Sequence, residues 1–182
     1  MYINLRNAST MNISIRPEQP ADIDNIYELN TSVFEQENEA RLVDQVRQGS
    51  HFIPELSLVA YSDDKLIGYI LFSGITITNG DYHYQSLGLT SMVVDPAYQK
   101  QGVGAKLITS GLQKAAGLGY TAVFVFGHEF YFPKFGFLPA ARWNIKPPFE
   151  VPAEVFMALE LIPNALEYVS GIVEFPIEFS VM

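Results

Sequence analysis

The residues of this chain best suited to chemistry form one run, Met92-Val93-Val94-Asp95-Pro96-Ala97-Tyr98-Gln99-Lys100-Gln101-Gly102-Val103-Gly104-Ala105. It reads as an apolar strand, a proline break, and a Gln-x-x-Gly-x-Gly loop that opens directly into a helix. Such a loop gathers unpaired backbone N–H groups at a helix N-terminus, and the helix dipole adds to their pull on an anion. Two glycines let the main chain approach a phosphate where a Cβ would intrude. Two other phosphate loops are excluded. No Lys-Ser/Thr pair follows Gly104, as a P-loop requires, and Leu107 stands where a dinucleotide fingerprint needs its third small residue.

A second chemical cluster lies downstream, in His128-Glu129-Phe130-Tyr131-Phe132 and the following Gly136-Phe137. His128 and Glu129 come just after an apolar run and are candidates for a general base or for orienting a substrate. A turn cap and a solvated carboxylate account for them as well. Tyr131 is the polar tip of an aromatic group that otherwise reads as core. Glu35 and Glu37 sit between two helices, where they could attract an amine cation or simply be solvated. His51, His83 and His128 are too widely spaced for a metal-ligand pair, so no metal is expected.

The elements that must position these residues follow from periodicity. Ile13-Ser14-Ile15-Arg16 alternates and stops at Pro17, as a first strand does. Pro20-Ala21-Asp22 is a helix entry, and that helix runs to about Phe34. A second helix spans Asn38 to Gln48, with Ala40, Leu42, Val43 and Val46 inward. Leu56–Tyr61 and Leu66–Ile77 form a hairpin over Ser62-Asp63-Asp64-Lys65, and Asn79-Gly80-Asp81 turns the chain into a strand from Tyr84 to Val94. A helix over 105–116 follows the glycine loop. Ala122–Phe126 is a continuous apolar run typical of a buried strand. Phe156–Leu161 and Gly171–Phe175 are strand-like. The pattern predicts a mixed α/β sheet, mostly antiparallel, with one βαβ crossover around the loop.

The V-x-P strand, the Gln99-Lys100-Gln101-Gly102-Val103-Gly104 loop and its helix together resemble the acyl-CoA site of the GCN5-related N-acetyltransferases (GNAT). Glu39-Ala40-Arg41-Leu42-Val43, Tyr98-Gln99, Gly136-Phe137 and Phe156-Met157-Ala158-Leu159-Glu160-Leu161 are similar to the YhbS-like subgroup of that family. The likeness covers roughly residues 13 to 175. It implies a sheet with flanking helices whose central strand pair splays apart to admit acetyl-CoA, transferring its acetyl group to an amine. By the same resemblance Met92, Val93 and Val94 line the acetyl and pantetheine arm through main-chain contacts. Gln99, Lys100, Gln101, Gly102, Val103, Gly104 and Ala105 would hold the pyrophosphate. The family's usual proton donor, a Tyr four residues before the Gly-Phe pair, is replaced by Phe132. Tyr131 is the candidate substitute, and its absence from that role would leave a weakly active or inactive acyl-CoA sensor.

Composition sets the remaining bounds. A length of 182 residues suits one domain over 13–182, after a short leader or extension at 1–12. The net charge of −9 leaves no basic patch for a nucleic-acid backbone. The apolar runs fall far short of the roughly 20 residues that span a bilayer. With no cysteine there is no thiol nucleophile or disulfide framework, which fits a cytoplasmic protein acting by direct transfer in a ternary complex. The acceptor is expected to be a small-molecule or peptide amine, and the final strand is a candidate for pairing across a homodimer.

Overall fold

The computed structural model describes residues 12–181, so the leader expected at 1–12 falls almost entirely outside the described residues. The strands are β1 (Ile13–Pro17), β2 (Phe52–Ser62), β3 (Lys65–Asn79), β4 (Tyr82–Val94), β5 (Ala122–Phe126), β6 (Leu138–Pro139), β7 (Ile145–Lys146), β8 (Phe156–Glu160) and β9 (Gly171–Glu174). The helices are α1 (Ile23–Phe34), α2 (Asn38–Gln48) and α3 (Val103–Gly117). One sheet runs in the order β1-β2-β3-β4-β5-β8-β6, with β9 beside β3 and β7 beside β9. Pairing is antiparallel throughout except for β4–β5 and β7–β9. The fold is the mixed, mostly antiparallel sheet that the patterning predicts, and α3 is its crossover.

Several elements exceed their predicted length. β2 begins at Phe52, because Phe52 and Ile53 pack against the core, and β3 reaches Asn79, because Thr78 and Asn79 still pair with His83 and Tyr82. The helix after the loop starts at Val103, two residues earlier than expected. β9 bonds to β3 on one side and, at Gly171 and Ile172, to β7 on the other.

Burial on both faces explains the unbroken apolar run of β3. Tyr69 and Leu71 face α1 and α2, packing with Ile26, Leu29, Val43 and Val46. Ile70 and Phe72 face the other way, toward Val103, Leu107 and Ile108 of α3. A Cβ on Gly111 would lie 2.2 Å from Phe72 Cε2, so the helix docks with the Phe72 ring seated in a glycine notch. A third cluster joins Phe124, Phe156, Ile145 and Val173 with the partly buried Trp143 toward the far end of the sheet.

Buried polar groups fasten the first layer. Arg47 at the end of α2 donates to Glu18 at 2.6 Å, and Ser57 Oγ donates to the same carboxylate at 2.6 Å. Tyr69 Oη lies 2.7 Å from Ser57 Oγ and completes the network. Asp22 at the entry to α1 accepts from Arg16 at 2.6 Å, Gln19 N at 2.7 Å and Tyr61 Oη at 2.8 Å.

Candidate active site

β4 is the strand on which the site is built. It pairs with β5 only from Leu87 to Leu89, yet it continues to Val94. Leu71 of β3 opposes Ser91 and Phe72 opposes Leu89, which leaves Thr90 as an extra residue on β4. That bulge sits where the two parallel strands part, and bulges bend a strand and sharpen its twist. Ser91 Oγ donates to Asn30 Oδ1 at 3.1 Å and Thr90 Oγ1 meets Ser73 Oγ at 2.6 Å, so both residues at the bend are pinned.

Past the bend the ladder decides which main-chain groups face the opening. Asp95 N donates to Ile67 O at 2.9 Å, which makes Gly68–Val94 a non-hydrogen-bonded pair. By the alternation of antiparallel ladders, the N–H and C=O of Val94 and Met92 point away from β3 into the gap. Those of Val93 point to Tyr69, and the Val93 side chain is buried in the α1–α2 layer. The Val94 carbonyl accepts from Gln99 Nε2 at 3.1 Å, in agreement with this orientation.

The loop that follows is braced by its own side chains. Asp95 bonds Lys65 Nζ at 2.8 Å and accepts from Ala97 N at 2.9 Å, and Lys65 also lies 5.0 Å over the Tyr98 ring. The lysine bond, then the amide, hold the Asp95 carboxyl below its ordinary value. Gln101 Nε2 donates to Ala97 O at 2.9 Å. The backbone takes the left-handed region at Lys100 (φ 59°) and at Gly102 (φ 87°), the residue capping α3. Gly102 is required by that dihedral and not by crowding, because a Cβ there would meet nothing within 4 Å. Having no side chain, it supplies no capping oxygen, and no acidic residue enters the first turn. Lys106 N returns to Gly102 O, so the N–H groups of Val103, Gly104 and Ala105 lack intrahelical acceptors and converge on one spot. Lys100 is exposed beside it.

The aromatic turn sorts its two neighbours to opposite duties. Phe132 is buried, and a Cβ on Gly127 would fall 2.1 Å from its ring. Tyr131 stands nearly perpendicular to it, at an interplanar angle of 83°. Its hydroxyl reaches the first turn of α3, 2.8 Å from where a Cβ of Gly104 would lie. The same position is 3.7 Å from Met92 Cε and from Val94 Cγ2. Tyr131 thus converges with Met92, Val94 and Gly104. Burial pushes its phenol above the ordinary tyrosine value. His128 and Glu129 are exposed on the turn, where His128 contributes its carbonyl to Tyr131 N at 2.9 Å. Glu37 bonds Arg41 on its own helix at 2.5 Å, and Glu35 is exposed. Among the described residues there is no cluster of three or more His, Asp or Glu able to hold a metal ion.

Three contributors were not foreseen from the sequence. The Thr90 bulge has no compositional mark. The Lys65–Asp95 bond joins residues 30 apart that only the β3–β4 register brings together. Phe124 and Phe126 carry a signal that was available, since alternate residues of one strand share a face.

A strand parted from its parallel neighbour, running into an uncapped helix N-terminus, offers an anion site continuous with exposed sheet main chain. The family model described as Acetyltransferase (GNAT) family matches residues 23–137. The chain is 32% identical over 167 residues to the uncharacterized N-acetyltransferase YhbS of Escherichia coli K12, covering 91% of this chain and 98% of that one. It is 35% identical over 136 residues to YjhQ of the same organism, covering 74% and 75%. The crystal structure of E. coli YhbS in complex with CoA superposes with a TM-score of 0.87 at 30% identity, over 93% of each chain. A GNAT acetyltransferase from Brucella melitensis in complex with acetyl-CoA gives 0.75 at 28% identity, over 93% and 99%. The chain belongs to the GNAT family, and it is an N-acetyltransferase.

Proposed function

We propose that this protein transfers the acetyl group of acetyl-CoA directly to a primary amine, both substrates being bound at once. The observation that carries this reading is the continuity of two features: β4 main chain freed by the bulge, and the α3 N-terminus left uncapped by Gly102 at φ 87°. The pyrophosphate would rest on the N–H groups of the loop and of Val103, Gly104 and Ala105, with Gln99 and Gln101 holding the loop in shape and Lys100 adding charge. Met92 and Val94 would meet the pantetheine arm through gap-facing main chain. Val93 supports them from the ladder.

In the reaction the amine nitrogen attacks the thioester carbonyl, and a gap-facing N–H of β4 is the donor available to the oxyanion. Collapse breaks the C–S bond, the thiolate takes a proton, and the new amide nitrogen loses one. Tyr131, whose hydroxyl converges with Met92, Val94 and Gly104, is the candidate proton source. His128 and Glu129, exposed on the same turn, are the candidates to accept the amine proton through water. The cytoplasm, where acetyl-CoA is made, is the setting this reading implies. The buried phenylalanine at position 132 favours one second reading, a sensor that binds acyl-CoA without turnover.

Replacing Gly102 by valine tests the assignment. A β-branched residue at this dihedral is strained by about 1–2 kcal/mol, so the free loop relaxes, CoA binding must restore the strained turn, and affinity by calorimetry should weaken about 10-fold. A folded variant that binds CoA as wild type would remove the loop assignment. Tight CoA binding with no thiol release across an amine panel would select the sensor.

A further inference from the structure

A cavity of about 230 Å³ opens beside the bend in β4, on the side away from the glycine loop. It is walled by six phenylalanines, Phe124, Phe126, Phe149, Phe156, Phe175 and Phe179, brought from β5, β8 and the segments around 149 and after β9. Their rings form a connected shell. Phe126 lies 4.7 Å from Phe156, 5.5 Å from Phe149 and 5.6 Å from Phe175, and Phe175 lies 5.5 Å from Phe179. Among the described residues no charged side chain lines the cavity, and Thr90 is its polar member.

Three properties of this cavity constrain what enters it. Gly88, Leu89 and Thr90 line it, and these are the residues at which β4 leaves β5. Met92 is two residues further on, roughly 7 Å along the strand. The gap opens at Thr90, which itself lines the cavity, so a group seated among the rings needs only a short arm to enter it. The volume lies below the roughly 300–1,000 Å³ of drug-sized sites, which limits the occupant to about one ring. An acid-free apolar wall gives a second ammonium no partner, and burying an unpaired charge is costly. That disfavours polyamines and lysine-like acceptors carrying a further charge near the apolar end. The carboxylates at Glu35 and Glu37, which could have drawn such cations, do not line the cavity.

We infer that the acceptor is a primary amine on a short arm bearing one compact apolar ring, and that the phenylalanine shell seats the ring. The inference rests on the acetyl-transfer reading and names the class of substrate for it. The free amine is the source assigned, because the cavity has room for about a single ring. A peptide with N-terminal phenylalanine would supply the same chemistry.

The test compares phenylethylamine, ethanolamine, putrescine and the tripeptide Phe-Gly-Gly by thiol release with acetyl-CoA. Direct binding of each amine to the CoA-loaded protein is followed in parallel by saturation-transfer NMR. Phenylethylamine is expected to exceed ethanolamine and putrescine in kcat/KM by about 100-fold. Phe149→Ala, which removes a half-exposed rim ring, should raise the KM for phenylethylamine about 10-fold while leaving CoA affinity unchanged. Turnover of ethanolamine or putrescine at rates equal to phenylethylamine overturns the ring-bearing acceptor and leaves acetyl transfer standing. Phenylethylamine binding that weakens in Phe149→Ala, without turnover of any amine, upholds the cavity assignment and overturns acetyl transfer. Absence of both binding and turnover overturns both, and preference for Phe-Gly-Gly overturns the free-amine source.

Discussion

At the scale of single residues, the exchange between positions 131 and 132 carries the most weight. Adjacent aromatics in a tight turn diverge, so one ring must take the core and the other the surface of α3. Phe132 takes the core against Gly127, and Tyr131 brings its hydroxyl to Gly104. The proton donor missing at 132 is thereby replaced, in our proposal, one residue earlier. Tyr131→Phe is expected to lower kcat roughly 100-fold, the low end for loss of a general acid. Burial raises the Tyr131 pKa, so the wild-type phenol keeps its proton through neutral pH and past the usual tyrosine range near 10. Wild-type activity should accordingly decline only at strongly alkaline pH, and the variant should lose that limb of its profile. Unaltered kcat and pH profile in Tyr131→Phe would assign the residue to packing. The sequence could pair Tyr131 with Phe132 but not orient them, since orientation depends on the glycine across the turn.

At the scale of elements, the strand-loop-helix unit was legible because each part carries a local mark: apolar alternation, proline, two glycines and a helical stripe. The bend at Thr90 was not, because a bulge is a mismatch in register with β3 and leaves no mark within β4. The docking of α3 shows the same division. Its apolar stripe is plain in the sequence, whereas the need for Gly111 comes from Phe72 on another strand. Alanine at position 111 would gain about 1 kcal/mol of helix propensity. Against this, a Cβ 2.2 Å from the Phe72 ring forces overpacking, which costs typically 1–3 kcal/mol. The crowding should win. Urea unfolding of Gly111→Ala is expected to show a lower midpoint at unchanged slope, and a higher midpoint would mean that the ring yields freely.

At the scale of the whole molecule, ionic links hold the helical layer to the sheet and make its stability depend on pH. The Arg16 bond, with help from Gln19 N and Tyr61, lowers the Asp22 carboxyl to about 2, from 3.8 when unfolded. A depressed carboxylate stabilises the fold fully above the unfolded value, and that contribution disappears as pH falls from about 3.8 through 2. Urea midpoints should fall across this window, and Asp22→Asn should fall less steeply between pH 5 and pH 2.5 while starting lower. Equal slopes would show that other carboxylates govern acid unfolding. Neither pair was legible in the sequence, since nothing in it specifies that residues 18 and 47, or 16 and 22, will meet. The shared edge of β3 was equally hidden. Its first half binds β2 and its second half binds β9, while its other edge carries the whole of β4. The glycine loop and the β4 wall of the phenylalanine cavity therefore share one strand, which β3 pairs along its length. In the function proposed above, the two reactants would be held at a fixed spacing along that strand. Binding would then meet most of the entropic cost of bringing them together, and the reaction would proceed as though each were present at very high local concentration.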